Sequence, residues 1–68
     1  MNNKFAERLK DLRIEKGLSQ IGLSKETGIS SSAIAFWELE KRIPNLVDVV
    51  TLIRFFGVSA DYMLGLED

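Results

Sequence analysis

Sixty-eight residues with a net charge of −1, nine Lys or Arg against ten Asp or Glu, make up a single domain, 1–68, and no more. With neither His nor Cys, the chain excludes disulfides, thiol nucleophiles, Cys/His zinc sites and imidazole acid–base chemistry, and no cofactor or metal is expected. No apolar run approaches the ~20 residues that cross a bilayer, and Met1 to Phe5 lacks a signal peptide's apolar stretch, so the expectation is a soluble, cytoplasmic protein with no membrane contact.

Apolar residues recur with helical period along the whole chain and no strand period competes with it. The first helix is expected to start after Asn2 or Asn3, with Phe5, Leu9 and Leu12 on its inner side, and to stop at Gly17. Ser19 is a favourable N-cap for a second helix that begins at Gln20 and stops near Gly28. Ser30 caps a third, with Ala33, Ile34 and Trp37 facing inward. Pro44 disfavours helix at Ile43, which makes 41–44 a loop. Asn45 caps a fourth helix whose inner stripe is expected to hold Leu46, Val49, Leu52, Ile53 and Phe56. Gly57 ends it, Ser59 caps a short fifth helix, and Gly65 ends that one. The fold class is all-α, a compact five-helix bundle.

Charge is divided unevenly along this framework. Residues 1–44 carry eight cationic side chains against six anionic, and residues 45–68 carry one against four. A polyanion would therefore meet the first two-thirds of the chain. The second and third helices, about 20–38, are joined through Thr27, Gly28, Ile29 and Ser30. Helices connected this tightly cross steeply, and the second can protrude into a DNA major groove about 12 Å wide.

From Phe5 to Leu66 the chain resembles the phage-repressor (Cro-like, XRE) helix-turn-helix DNA-binding family, the lambda-repressor-like type. The resemblance rests on Arg8, Leu9 and Lys10; Leu12 and Arg13; Gly17 to Gln20; Leu23; Thr27 to Ser30; Ile34; Trp37 and Glu38; Lys41 and Arg42; Pro44; Leu46; Phe56 to Ser59; and Asp61 to Gly65. It implies a sequence-specific double-stranded DNA-binding regulator of transcription, a repressor, with helix 30–38 in the major groove and a homodimer on DNA. Three features depart from the family pattern. Ser24 stands where Ala is common. Glu40 stands where Gly is usual, which demands a different turn or a left-handed residue costing roughly 1–3 kcal/mol. The outer side of the third helix also lacks Arg, Lys, Gln and Asn, which make most bidentate base contacts.

The expected DNA-contacting residues are Gln20, Ser30, Ser31, Ser32, Ala35, Phe36, Lys41 and Arg42. Gln20 sits at the first turn of the second helix, where free N–H groups and the helix dipole favour a phosphate. Ser30, Ser31 and Ser32 open the third helix and have hydroxyls for phosphate or a base edge. Phe36, expected to be exposed beside Ala35, would pack on a thymine methyl group. Lys41 and Arg42 would hold phosphates. Trp37 reads as core. The resemblance implies a structural ion pair between Arg13 and Glu38, and self-association near Tyr62, with Pro44, Val47 and Ala60 as further dimer contacts.

A second function class remains open: a protein-interaction module, such as an antitoxin or a phage regulatory partner, supported by apolar Ile21, Ala35, Phe36 and Val47. An enzyme is not expected, because nucleophile chemistry would fall to carboxylates or Lys and so small a domain offers little room for a pocket of 300–1,000 Å³. Both a whole Cro-like protein and the head of a longer repressor fit the length.

Overall fold

The computed structural model describes residues 4–67. Its five helices are α1 (Phe5–Glu15), α2 (Gln20–Thr27), α3 (Ser31–Glu38), α4 (Leu46–Phe56) and α5 (Ala60–Leu64). The asparagines expected to start the first helix lie outside the described residues; Lys4 occupies the N-cap of α1 without a side-chain capping bond.

Four starts follow one local rule. The side-chain oxygens of Ser19, Ser30, Asn45 and Ser59 accept from the backbone N–H three residues on, at 2.8, 3.1, 2.8 and 3.0 Å. Each satisfies one of the donors that a helix start leaves unpaired. Between α2 and α3 the reversal needs a left-handed residue, and Gly28 adopts φ 78° there.

Helix α3 packs on both α1 and α2, while α5 closes the other side against α1 and α4. Leu9, Leu23, Ile34, Leu52 and Met63 are completely buried, and Phe5, Ile29 and Trp37 complete the core. Phe5 meets Trp37 edge-on, with ring centroids 6.1 Å apart. Ile34 and Trp37 thus hold α3 by its inner side and leave the opposite side outward.

Two expectations need correction. Leu46 is 77% exposed rather than part of the inner stripe of α4. It is the first helical residue, and side chains tilt toward the helix N-terminus, so it points back past the start of α4 where no layer covers it. The stripe begins at Val49. The domain also has more open volume than its size suggested. An apolar groove of about 670 Å³ lies between the start of α1, the 40–44 loop and α5, lined by Phe5, Trp37, Ile43, Pro44 and Leu64 among others. Ile43, on its loop wall, is 70% exposed.

Candidate nucleic-acid interface

The orientation of α3 is set at its C-terminal end. Arg13 of α1 donates from Nε to Glu38 Oε2 at 2.8 Å and from Nη2 to Glu38 Oε1 at 3.0 Å. The third arm of the guanidinium, Nη1, donates to the Leu18 carbonyl at 2.8 Å. Gln20 Nε2 donates to Glu38 Oε1 at 3.2 Å, so one carboxylate joins α1, α2 and α3. The two charged side chains are only 11% and 5% exposed. The hydrogen bonds that Arg13 donates to Glu38 raise its pKa above the ordinary value, more than burial lowers it, and the Glu38 charge adds to the rise. The implied ion pair is present, and Gln20 belongs to it. That link was not foreseen. The amide carries a second N–H, which the bond to Glu38 leaves for an anion at the start of α2.

The chain then leaves α3 through a left-handed residue that is not glycine. Glu40 has φ 59°. Its N–H donates to the Trp37 carbonyl at 3.0 Å, and the Lys41 N–H donates to the Phe36 carbonyl at 2.8 Å, the paired bonds of a Schellman motif. Of the two sequence-based alternatives for Glu40, the strained one holds.

This turn carries the loop back alongside α3. Arg42 Cζ stands 5.2 Å from the centroid of the Phe36 ring, within cation–π range. Phe36 is 38% exposed; Ser32, one turn earlier, is exposed, while Ser31 and Ala35 are half-buried. Ser30 is exposed, but its hydroxyl is engaged in capping. Lys41 and Arg42 are both exposed. The structure therefore brings Ser32, Phe36 and Arg42 together and ties Gln20 to the ion pair behind them.

The residues expected at a dimer interface divide differently. Val47 is 73% exposed, and Ala60 is exposed. Pro44 is half-buried along the apolar groove. Tyr62 has one ring face covered by the Arg8 guanidinium at 4.3 Å, and Arg8 also donates to the Tyr62 carbonyl. Exposed Leu39, Ile43 and Leu46 are the apolar surface that sequence reasoning overlooked. The available signal was three aliphatic residues in and beside a loop that already contains Glu40, Lys41 and Arg42. Among the described residues no group of three His, Cys, Asp or Glu is placed to hold a metal ion, and no helix is long and apolar enough to cross a membrane.

Two short helices joined by a glycine turn, with the second held by its inner side and by an ion pair at its end, define a helix-turn-helix domain. The Helix-turn-helix family model matches residues 9–63, and the chain belongs to that family, in its phage-repressor or XRE branch. It is 38% identical over 64 residues to the HTH-type transcriptional regulator YobD of Bacillus subtilis, across 94% of this chain and 57% of that one. It is 35% identical over 65 residues to the HTH-type transcriptional activator BcrR of Enterococcus faecalis, across 96% of this chain and 32% of the other. The chain thus spans about a third to just over half the length of these relatives. The P22 c2 repressor, solved in complex with a synthetic operator, superposes with a TM-score of 0.84 at 30% identity, over 93% of this chain and 96% of that one.

Proposed function

We propose that the chain binds specific double-stranded DNA sites and regulates transcription in the cytoplasm, as a repressor that occludes the promoter it occupies. The observation that carries this reading is α3 itself: Ile34 and Trp37 are buried beneath it, and the Arg13–Glu38–Gln20 network fixes its end. Ser32 and Phe36 are left exposed on its outward side, with Arg42 of the following loop over the Phe36 ring. Helix α3 enters the major groove. The start of α2 with Gln20, and Lys41 in the loop, hold phosphates on either side. The P22 c2 repressor's complex with its operator supports the same placement here. Two copies related by a two-fold axis would read half-sites about one helical turn apart, meeting through Val47 and Ala60 with Leu46 beside them and with Pro44 and Tyr62 at the edge.

Selection of bound duplexes from a random pool, followed by titration of a selected site at several salt concentrations, tests the reading. The expected result is enrichment of one sequence and an affinity that falls linearly in log–log form with salt. Failure to retain any duplex would contradict it.

A protein-interaction role is the second reading, favoured by Leu39, Ile43, Leu46 and Val47, each at least 64% exposed. Capture of a protein partner by a chain that retains no DNA would establish it in place of the first.

A further inference from the structure

The outward side of α3 lacks the usual reading groups. Ser31, Ser32, Ala35 and Phe36 offer two hydroxyls, a methyl and a phenyl ring, with neither an amide nor a guanidinium. Yet a guanidinium reaches this side from outside the helix. Arg42 lies over the Phe36 ring at 5.2 Å, whereas Arg13 is committed to Glu38 and Arg8 to Tyr62 and Glu67. A guanidinium drawn to a ring by its charge carries five N–H donors, more than that one contact engages. A lysine ammonium in the same place has no planar fork to present.

The surroundings also suit a base edge. Phe36 follows Ser32 by one helical turn, so ring and hydroxyl share a side of α3. A recess of about 340 Å³ opens beside the stack, between α3 and the start of α4, with Ser30, Ser32 and Asn45 on its walls. Phe36 and Arg42 line it as well, so a methyl group that enters has the ring within reach.

We propose that Phe36 and Arg42 form one reading unit for a thymine adjacent to a guanine. The Phe36 ring packs on the thymine C5-methyl, and the Arg42 guanidinium, held over that ring, donates to guanine O6 and N7. Both contacts are major-groove contacts that distinguish the base pair. The inference rests on the DNA-binding reading above and adds to it a base-reading role for a loop arginine otherwise placed at a phosphate.

The test uses the duplex obtained by selection, carrying single-atom changes, against wild type, Phe36→Ala, Phe36→Leu, Arg42→Ala and Arg42→Lys. Thermal melts are recorded for each variant, and Phe36→Leu keeps apolar bulk should the alanine variant fold poorly. Wild type should lose affinity several-fold when one thymine is replaced by uracil, and roughly 5- to 150-fold when the neighbouring guanine base pair is exchanged. Replacement of that guanine by 7-deazaguanine should also weaken wild type. The uracil effect should vanish in Phe36→Ala and the 7-deazaguanine effect in Arg42→Ala. Arg42→Lys should keep the wild-type salt slope, because its charge is retained. A selected site without an adjacent thymine and guanine would overturn the proposal, as would an Arg42→Ala variant with undiminished guanine preference, which would make Arg42 a phosphate contact while leaving DNA binding intact. If no duplex is selected at all, the DNA-binding reading fails and the proposal fails with it.

Discussion

Arg13 grips Glu38 with two parallel hydrogen bonds of 2.8 and 3.0 Å, and by doing so fixes the last turn of α3 to α1. Neither side chain has much solvent, so losing one partner strands the other's charge. Glu38→Gln or Arg13→Leu alone should each destabilise the fold by about 3 kcal/mol, a large share of what a domain of this size possesses. Replacing both by Leu should cost well under the sum of the two. Urea titration of the two singles and the double measures this, and additive losses would mean the pair is not a unit.

The same pair bears on pH. A cation with a raised pKa contributes its stability fully below the unfolded value and loses it only as pH rises through the folded one. For Arg13 the folded value is raised above an ordinary arginine value that already lies far above neutrality, so the guanidinium stays charged across the physiological range and gives no pH dependence there. Melting temperatures of wild type and Arg13→Leu should differ by the same amount at pH 7 and pH 9. A gap that closes by pH 9 would contradict the assignment.

Glu40 is held in a conformation that favours glycine. Glu40→Gly should remove a strain of about 1–2 kcal/mol while adding unfolded-state freedom of about 0.4–1 kcal/mol. The net expectation is a stabilisation of about 1 kcal/mol, visible as a rise of roughly 4–8 °C in Tm. It also removes a negative charge beside Lys41, so DNA affinity should rise. A lower Tm would show that the glutamate contributes interactions exceeding its strain.

Lys41 and Gln20 are assigned to phosphates and should act alike on all sequences. Lys41→Ala should weaken specific and random duplexes similarly and reduce the salt slope by about 0.9. Gln20→Ala should weaken both without changing the slope, and its lost bond to Glu38 should cost about 1 kcal/mol of stability. Titrations from low to high salt separate the two; an unchanged slope in Lys41→Ala would remove it from the interface.

Leu46 and Val47 are 77% and 73% exposed, so Leu46→Lys with Val47→Lys should leave the melting temperature nearly unchanged. If they meet a second copy, the double variant should fill two half-sites independently instead of cooperatively. Sedimentation of the protein–duplex complex checks this, and unchanged cooperativity would place the dimer contact elsewhere.

The elements were legible because helix ends are written locally. Ser19, Ser30, Asn45 and Ser59 cap as their chemistry requires, and the periodic Leu9, Ile34 and Leu52 are buried as their spacing requires. Leu46 escaped because periodicity assigns a side of a helix but not whether another layer extends over its first turn. The Gln20 bond to Glu38 and the Arg42 stack on Phe36 join residues 18 and 6 positions apart across different elements, and the sequence carries no periodic trace of either. Glu40 stood out as an anomaly in the turn, yet only the backbone decided between strain and a different route.

Placement of α3 in the major groove is tested by methylation interference on a selected duplex, which reads guanine N7 in the major groove and adenine N3 in the minor groove. The predicted result is two patches of major-groove interference centred about 10 base pairs apart, lost when Ser32→Glu places a carboxylate on the outward side of α3 without altering the melt. Interference confined to the minor groove, or the same pattern with Ser32→Glu as with wild type, would contradict it.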